Sequence, residues 1–409
     1  MSISLRMAWR NLWRHRRRTW LTTSAMVFSN LLLIFLISLQ FGSYDMMIDN
    51  TLQTFSGYIQ LQRQGYNENP KLRDSIPGIS ALAEQLRERL PAARVAARAS
   101  AFALASSEQR TLAVQVTGVQ PGREAGVSTF PGLIKKGRFL QADTAPEIVL
   151  GSVLARNLKV GVGDEITLLG TGRDGSFAAG VVTAVGIFES GSGEIDRSMA
   201  EVPLAYFQQT FSMDDHGHAI VLSAPSLDQS QVLLPALREA LASRQELVVL
   251  DWRALNPGLE QAIQADLSSA WFMYGVLVVL VAFSVLNTQL MSVLERTREF
   301  GMIMALGIKP RRLASLVMLE TALMALLGFA LGIALGWLVA AYFHVEGFSY
   351  PGMEELGARF NLPGEMYPSL TPVSLLLGPA VVFLFCLLAA VYPALRLFRL
   401  QPIEAMRAA

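Results

Sequence analysis

The organisation of the chain is decided by residues 287–320, NTQLMSVLERTREFGMIMALGIKPRRLASLVMLE. An apolar run from about Ala270 to Leu294 leads into this stretch, and a second apolar run begins near Leu313. Each run is long enough to cross a bilayer core of about 30 Å. The stretch therefore predicts two membrane-spanning helices that are joined by a short charged segment.

The joining segment between the two apolar runs, residues 295–312, combines charged residues with an apolar helical face. Its cationic residues predict a cytoplasmic location, since cytoplasmic loops carry an excess of Lys and Arg; they are Arg296, Arg298, Lys309, Arg311 and Arg312. Its apolar residues are Phe300, Met302, Ile303, Met304, Leu306 and Ile308. Gly307 followed by Pro310 predicts the end of a helix. Such a helix suits either docking of a soluble partner or an interfacial position on lipid headgroups, and periodicity alone leaves both open.

Three groups of residues resemble the MacB/FtsX-like permeases, a superfamily of ABC transporter membrane subunits. The first group is Ala8-Trp9-Arg10-Asn11-Leu12. The second group runs through residues 287–320 and comprises Asn287, Glu295-Arg296, Arg298-Glu299-Phe300-Gly301, Ala305-Leu306-Gly307 and Glu320. The third group runs from Tyr392-Pro393-Ala394 through Arg399 to 402–407. Their order and spread make the resemblance specific to this superfamily.

The resemblance implies that 295–309 is the coupling helix, which in this family sits in a groove of the cytoplasmic ATPase. The residues implied in ATPase coupling are Glu295, Arg296, Arg298, Glu299, Phe300, Gly301, Met304, Leu306 and Gly307. The resemblance further implies no cofactor in this chain, because ATP and Mg would be bound by the partner ATPase.

Composition places the chain among integral membrane proteins that carry a substantial soluble part. Hydrophobic residues make up 52% of its 409 residues and charged residues only 16%. A cluster of arginines between Arg6 and Arg18 precedes the first apolar run, which indicates positive-inside anchoring rather than nucleic-acid binding. Cys386 is the only cysteine, so no disulfide can form within one chain.

Four spans are predicted, with both termini in the cytoplasm. Residues 1–42 hold the cytoplasmic N-terminus and the first span, from about Trp20 to Phe41, which is too long for a typical cleaved signal core. Residues 43–268 form two stalks and a periplasmic domain. Residues 269–409 hold the second span, the coupling helix, a third span from about Leu313 to Phe343, a periplasmic loop at 344–371, a fourth span from about Pro372 to Leu395, and the cytoplasmic tail.

The periplasmic block has a mixed pattern that predicts an α+β domain. Two βαβ-like units are predicted at 57–125 and 211–252. Between them, 126–210 is rich in Gly and Val and predicts a mostly β insertion. The fold class is therefore an α-helical membrane protein of four transmembrane helices, with a large MacB-like α+β domain inserted between the first and the second.

Several polar and small residues within the spans predict helix packing. Gly328, Gly332 and Gly336 recur at intervals of four, which lets another helix approach closely, either from this chain or from a second subunit. Glu320 lies within the third span and is expected to pair with Arg311, Arg312 or an arginine of the coupling segment. Asn287 and Gln289 are expected to make hydrogen bonds between helices.

The sequence contains few residues that indicate catalysis or metal binding. The phosphate-binding motif GxxxxGK[ST] is absent, so the chain is not expected to be an enzyme, and ATP hydrolysis is expected in a separate polypeptide. Asp214, Asp215, His216 and His218 form the densest set of metal-ligand types, but their adjacency favours a polar turn, and no metal site is predicted.

The sequence thus predicts the permease subunit of an ABC transporter that couples ATP hydrolysis to conformational work in the periplasm of a bacterial inner membrane. By size and layout it is most similar to the LolC/LolE lipoprotein-releasing permeases. MacB-like efflux and FtsX-like regulation of a cell-wall hydrolase are the alternatives. The expected partners are two copies of a cytoplasmic ATPase, a second permease subunit that is identical or paralogous, membrane lipids, and a periplasmic adaptor or lipoprotein.

Overall fold

The chain forms two compact units. The helical unit comprises 1–45, 262–350 and 365–409, and the α/β unit comprises 46–261 and 351–364. The structure is a computed structural model, and it describes residues 3–14, 16–224, 226–242, 244–353 and 364–399. The end of the third motif, at 402–407, and part of the loop at 344–371 lie outside these residues.

The described residues form thirteen α-helices. They are α1 (Ile3–Arg14), α2 (Arg16–Thr51), α3 (Ile79–Arg89), α4 (Pro121–Val127), α5 (Ser152–Leu158), α6 (Ile195–Ser198), α7 (Leu204–Thr210), α8 (Leu227–Ala240), α9 (Trp252–Leu255), α10 (Pro257–Glu295), α11 (Thr297–Ala305), α12 (Pro310–Glu346) and α13 (Pro372–Arg396). A π-helical turn, Leu52–Ser56, follows α2 directly.

Four of these helices are long and apolar enough to cross a membrane. The segments are Arg16–Ser56, Pro257–Glu295, Pro310–Glu346 and Pro372–Arg399. Each contains one of the four predicted spans, and the fold class predicted from the sequence is confirmed. Helix α2 is unbroken from Arg16 to Thr51, so the helical spacing seen beyond Gly42 in the sequence belongs to the same helix.

Local sequence sets the ends of the last two long helices. Pro310 occupies the first turn of α12, where its missing N–H costs no hydrogen bond. Helix α13 begins with a capping box at Thr371: the Thr371 hydroxyl accepts from the Ser374 N–H at 3.2 Å, and the Ser374 hydroxyl accepts from the Thr371 N–H at 3.1 Å. Pro372 follows at the first helical position. Both starts are therefore fixed by the chain's own residues.

The three glycines of α12 pack against α2 of the same chain. A Cβ atom built on Gly328, Gly332 or Gly336 would lie 2.7, 2.5 or 2.7 Å from a side-chain atom of α2. The α2 residues met in this way are Met26, Asn30 and Ile34, which are also spaced by four. The amide nitrogen of Asn30 donates to the carbonyl of Gly328 at 3.2 Å. The close approach that the glycine spacing predicts is thus made within one chain.

The α/β unit is built on one extended sheet. Its strands are β1 (Ile59–Arg63), β2 (Ile76–Pro77), β3 (Arg94–Ser106), β4 (Thr111–Val119), β5 (Ile134–Gly137), β6 (Glu147–Gly151), β7 (Glu165–Thr171), β8 (Phe177–Phe188), β9 (Met199–Pro203), β10 (His216–Gly217), β11 (Ala219–Ser223) and β12 (Leu247–Asp251). The order in the large sheet is β12-β1-β11-β3-β4-β9-β6-β8-β5, and β7 pairs with both β3 and β8. Strands β2 and β10 form a separate pair.

The insertion predicted at 126–210 does not form a separate sheet. Strand β9 pairs in parallel with β4, and β7 pairs in antiparallel with the end of β3. The strands predicted on either side of the insertion meet in the same sheet, because β1 lies between β11 and β12. The paired residues of these strands lie 61 to 192 positions apart in the chain, and the periodicity of a single segment cannot show such pairings.

A buried charged cluster fixes the turn that follows α2. Arg98, Glu124 and Glu201 are almost fully buried. The Arg98 guanidinium pairs with Glu124, donates to the carbonyl of Phe55 and lies 4.4 Å from the centroid of the Phe55 ring. Among the described residues, neither carboxylate oxygen of Glu201 has a hydrogen-bond partner. Burial, and next the charge of Glu124, raise the pKa of Glu201 well above its ordinary value.

The glycine packing predicts a difference between two Gly→Ala variants. Gly332→Ala places a methyl group against Asn30 and should destabilise the detergent-solubilised chain by about 1–3 kcal/mol through overpacking. Gly275→Ala in α10 is the control, since a Cβ atom there meets nothing within 4 Å. Chemical denaturation followed by Trp fluorescence measures both; equal midpoints for the two variants would contradict this packing.

Glu201 predicts a pH-dependent stability. Its raised pKa means that the folded state keeps the proton after the unfolded state has lost it, so folding becomes less favourable as pH rises above the ordinary Glu pKa of 4.5. The Glu201→Gln variant should gain stability over the wild type as pH rises from about 4.5 to 8. The Glu165→Gln variant, on an exposed position of β7, should show no such gain. Thermal unfolding across this pH range is the measurement, and parallel curves for wild type and Glu201→Gln would show the prediction to be wrong.

Candidate coupling site

The segment between the second and third spans is a short helix with a break on each side. Helix α10 ends at Glu295, and Arg296 at φ −96° and ψ 10° separates it from α11. Helix α11 ends at Ala305, and Gly307 then takes φ +91°, a conformation that favours glycine. Helix α12 starts at Pro310. The two breaks let the chain turn between the two long helices.

One face of α11 is packed into the helical unit. Phe300 and Met304 are buried in an apolar cluster with residues of α10, α12 and the end of the chain; the other members are Val293, Leu313, Ala314, Val317, Ala394 and Leu397. Gly301 is buried as well. These α11 side chains therefore hold the helix in place, and they are not available to a partner protein.

A buried polar contact joins the start of this segment to the third span. The Arg296 guanidinium donates to both carboxylate oxygens of Glu320, at 3.2 and 3.0 Å. The Asn11 side-chain amide of α1 donates to the same carboxylate at 2.6 Å. Glu320 is only 5% exposed. Because a buried carboxylate without partners is costly, this arrangement strongly favours one position of Arg296.

Arg296 also contacts α11 itself. Its guanidinium carbon lies 4.9 Å from the centroid of the Phe300 ring, and its Nε atom lies 3.6 Å from a carboxylate oxygen of Glu299. The side chain thus connects the first turn of α11 to Glu320 on α12. A displacement of α11 would have to move Arg296 relative to Glu320 or carry both together.

Two further arginines of the N-terminal segment reach the coupling segment. Arg18 contacts Glu295 at 3.2 Å, and Arg14 contacts Glu299 at 3.7 Å. The Arg14–Glu299 pair is solvent-exposed and the Arg18–Glu295 pair is partly exposed, so each contributes at most about 1 kcal/mol. They set the N-terminal helix beside the coupling segment without fixing it as firmly as the buried contact does.

The opposite face of α11 and the turn after it are open. Leu306 is 84% exposed, and Met302 and Ile308 are exposed as well. Arg298 lies on the same exposed side of the segment, followed in the turn by Gly307 and Lys309. A row of exposed apolar side chains with cationic neighbours is typical of a surface that binds another molecule.

Two family models of known proteins match most of this chain. The family model of the MacB-like periplasmic core domain matches residues 19–240. That of the FtsX-like permease C-terminal region matches residues 271–402.

The chain belongs to the MacB/FtsX-like permeases. The resemblance read from the three motifs is thereby confirmed, as is the prediction of an ABC transporter permease.

Individual relatives span most of the permease. The lipoprotein-releasing system transmembrane protein LolC of Neisseria meningitidis is 24% identical over 312 residues, which cover 72% of this permease and 73% of that protein. LolE of Haemophilus influenzae is 27% identical over 319 residues, 74% of each chain. The macrolide export ATP-binding/permease protein MacB of Nitrosomonas europaea is 30% identical over 222 residues, 51% of this permease and 33% of that protein.

A solved structure also resembles the permease. The periplasmic region of MacB from Actinobacillus actinomycetemcomitans superposes with a TM-score of 0.38 and 12% identity, covering 51% of this permease and 94% of that chain.

The structure separates the residues that the sequence assigned to ATPase coupling. Exposed or partly exposed are Glu295, Arg298, Glu299, Leu306 and Gly307; buried are Arg296, Phe300, Gly301 and Met304. The four buried residues face the permease's own helices, and the assignment of all nine residues to ATPase coupling stays a prediction. Met302 and Ile308 belong to the open face, although the motif did not single them out.

The structure also shows the surroundings of the polar residues Glu320, Asn287 and Gln289, for which the sequence predicted contacts between helices. Of the three pairings expected for Glu320, the one with an arginine of the coupling segment is present, and the partner is Arg296. Asn287 is exposed on α10 and makes no interhelical hydrogen bond within the described part of the chain, so its expected bond stays a prediction. Helix α10 is apolar on all sides, so its sequence does not show which side packs against the other helices of this chain. Gln289 is buried, yet among the described residues it too makes no hydrogen bond to another helix.

The contacts between the N-terminal segment and the coupling segment or Glu320 were not predicted from the sequence. Asn11, Arg14 and Arg18 were assigned to a family motif or to positive-inside anchoring. The spacing of Ala8, Asn11 and Leu12 by three and four carries the available signal, because it places one buried face on α1. Nothing in the sequence identifies Glu320 as the group that this face meets.

Asp215, His216 and His218 have separate partners in the permease. Asp215 accepts from the hydroxyl of Ser80 at 2.6 Å, and His216 shares a hydrogen bond with the hydroxyl of Ser75 at 3.0 Å. His218 is buried between a β3 backbone amide and the carbonyl of Leu72. In the described part of the chain their roles are thus local contacts around β10 and β11.

The Arg296–Glu320 contact predicts a non-additive pair of substitutions. Arg296→Met leaves the Glu320 carboxylate buried without its cation and should lower the free energy of unfolding by about 3–5 kcal/mol. The double variant Arg296→Met/Glu320→Leu should recover most of this loss, because no buried charge remains. Denaturation of the detergent-solubilised permease measures both.

An exposed pair supplies the control for this cycle. Arg14→Met removes the contact with Glu299 and should cost less than about 1 kcal/mol. Additive effects of Arg296→Met and Glu320→Leu would contradict the buried contact.

Proposed function

We propose that this permease is the membrane subunit of a lipoprotein-releasing ABC transporter in the bacterial inner membrane, and that a separate ATPase docks on the open face of α11. The observation that carries the proposal is the division of α11 into a packed face and an open apolar face. The packed face transmits force to the long helices, and the open face receives it.

The relatives support the choice of substrate. The LolC and LolE proteins align with this chain over about three quarters of the length of each protein, and their names describe lipoprotein release. The matched part of MacB from Nitrosomonas europaea is one third of a protein named as both ATP-binding and permease. This chain has no GxxxxGK[ST] motif, which supports hydrolysis by a separate polypeptide.

We place α11 and the N-terminal arginines in the cytoplasm and the MacB-like domain in the periplasm. The cationic residues around α11 and before α2 support this orientation through the positive-inside rule. Helix α2 then runs from the cytoplasmic end of its span toward the periplasm, and α10 runs from the periplasm back to the cytoplasmic end of the second span.

A polar clasp between α2 and α10 supports concerted motion of these helices. The Tyr44 hydroxyl donates to Asp266 at 2.7 Å, and the Gln40 amide donates to Tyr44 at 2.7 Å. The Tyr274 hydroxyl donates to the amide oxygen of Gln40 at 2.6 Å. A shift of α10 that begins at Arg296 would therefore reach α2 through this clasp.

A second permease subunit completes the proposal. Asn287 is exposed on α10 among exposed apolar side chains, including Phe283 and Met291. An amide that faces only lipid chains would lack hydrogen-bond partners, which is unfavourable in a bilayer. We propose that this face of α10 meets the second permease, identical or paralogous.

The docking face predicts loss of the ATPase on substitution. Leu306→Asp and Met302→Asp should each reduce the amount of ABC ATPase that copurifies with the permease by about tenfold, because a buried apolar contact at the centre of an interface is replaced by a charge. Quantitative mass spectrometry of the complex purified from the native host measures this ratio.

Two controls keep that result specific. Val162→Asp changes an exposed apolar residue of the α/β unit and should leave the ratio unchanged. Unfolding midpoints equal to the wild type show that the permease itself is intact. Undiminished ATPase with Leu306→Asp would exclude the proposed docking face.

Depletion of the permease in its native host tests the substrate. Lipoproteins normally found in the outer membrane should accumulate in the inner membrane, which proteomics of separated membranes would measure. Macrolide sensitivity with correctly sorted lipoproteins would instead indicate efflux. Failure of cell separation with correct sorting would indicate regulation of a cell-wall hydrolase.

A further inference from the structure

The α/β unit has a large apolar cleft on the outer face of its sheet. The cleft has a volume of about 930 Å³ and lies where β3 and β7 separate. It lies between strands β3, β4 and β7 on one side and the loop from Tyr66 to Arg73 on the other. Its volume is within the range of cavities that bind small organic ligands, about 300–1,000 Å³.

Exposed aromatic and aliphatic side chains form the floor of this cleft. Phe102 on β3 is 72% exposed, and Phe177 on β8 is 78% exposed. Leu104 lies on the same side of β3 as Phe102, and its β7 neighbour is Leu169. Their inward-facing neighbours on β3, Ala101 and Ala103, are buried. Phenylalanines directed away from the core on the two strands that flank β7 are unusual in a free surface, and they indicate a bound partner.

The wall of the cleft is held in position by a histidine. The Ser100 N–H donates to Nδ1 of His218 at 2.9 Å, so the proton is on Nε2, which donates to the Leu72 carbonyl at 3.1 Å. Tyr66 stacks on the same ring, with centroids 4.9 Å apart. Burial lowers the pKa of His218 to about 4, and the ring is neutral at physiological pH. The loop is therefore fixed to β3 before any ligand arrives.

Both charged side chains that line the cleft are cationic. They are Lys71 and Arg73, and among the described lining residues none is acidic. The Nε atom of Arg73 donates to the Arg173 carbonyl at 3.3 Å, which ties the loop to the β7–β8 turn. The nearby Asp174 carboxylate accepts from the N–H of Ser176 at 2.9 Å. An apolar floor with a cationic edge is complementary to an amphiphile with an apolar chain and an anionic group.

We infer that this cleft binds a long-chain acyl group whose carrier holds a negative charge next to the chain. The acyl chain lies over Phe102, Leu104 and Phe177, and the anionic group lies beside Lys71. The inference deepens the proposed function, since acylated proteins are its substrate class, and it names the surface of the α/β unit that receives the acyl group.

Photo-crosslinking of the full permease in native membranes tests the inference. The probe is palmitate that carries a diazirine and an alkyne, and peptide mass spectrometry locates the adducts. Adducts are expected in the peptides that contain Phe102 and Phe177. Adducts on the membrane-spanning helices of the same sample provide the internal reference for probe concentration.

Paired variants separate binding from misfolding. Phe102→Asp and Leu104→Asp should each lower the cleft adduct at least about fivefold relative to the helix adducts, because apolar contact area is lost. Phe102→Leu should retain it. Val232→Asp, which changes an exposed residue of α8 outside the cleft, should leave it unchanged.

The charge at the edge is tested with a second probe. Lys71→Glu should lower the adduct of the palmitate probe about two- to fivefold, the range expected for an exposed ion pair, and Lys71→Arg should not. The methyl ester of the same probe should be insensitive to both. Adducts confined to the membrane-spanning helices, or a cleft adduct unaffected by Phe102→Asp and Leu104→Asp, would overturn the inference.

ATPase copurification separates this inference from the proposed function. If the cleft variants retain the ATPase but the wild type gives no cleft adduct, the acyl site is wrong while the coupling site stands. A cleft that crosslinks to a protein without an acyl chain would show that its occupant is a polypeptide, and this outcome too would overturn the inference.

Discussion

The contact between Arg296 and Glu320 governs the position of the coupling segment. Glu320 lies in the third span, and Arg296 lies at the break between α10 and α11. The Arg296 guanidinium donates to the two Glu320 carboxylate oxygens at 3.2 and 3.0 Å, so each charge offsets the free-energy cost of burying the other. Such a pair adds little net stability compared with apolar residues of the same size, but it excludes other positions of the two helices. In this permease it determines which face of α11 is covered and which remains open.

The open face and the packed face have different physical roles. Phe300 and Met304 contribute apolar burial and join α11 to α10, α12 and the end of α13. Met302 and Leu306 contribute nothing to that cluster and lie at the surface. A force applied to the open face therefore acts on helices that are already packed together, and the glycine contact between α12 and α2 extends this packing to the first span.

Much of this arrangement follows from the sequence. The length of the apolar runs predicted four spans, and the charges between the second and third spans located the coupling segment. The spacing of Gly328, Gly332 and Gly336 predicted close helix packing, although two different partners satisfied it. The partner could not be derived, because a row of small residues on one helix does not specify the complementary row on another, here Met26, Asn30 and Ile34.

Other features depended on contacts that no local pattern contains. Arg311 and Arg312 are nearer to Glu320 in sequence than Arg296 is, yet the turn at Gly307 brings Arg296 to the carboxylate. Asn11 reaches it from 309 residues away. The cleft is of the same kind: alternation predicted β3 as a strand, but Phe102 acquires its surroundings only where β7 meets β3 and where His218 holds the loop at Leu72.

The orientation and accessibility of Leu306 test the central claim most directly. In a Leu306→Cys variant that also carries Cys386→Ala, the introduced thiol is the only one in the chain. A membrane-impermeant maleimide should label it in inverted membrane vesicles but not in intact cells, and bound ATPase should protect it. Labelling from the outside of intact cells, or equal labelling with and without the ATPase, would contradict the account.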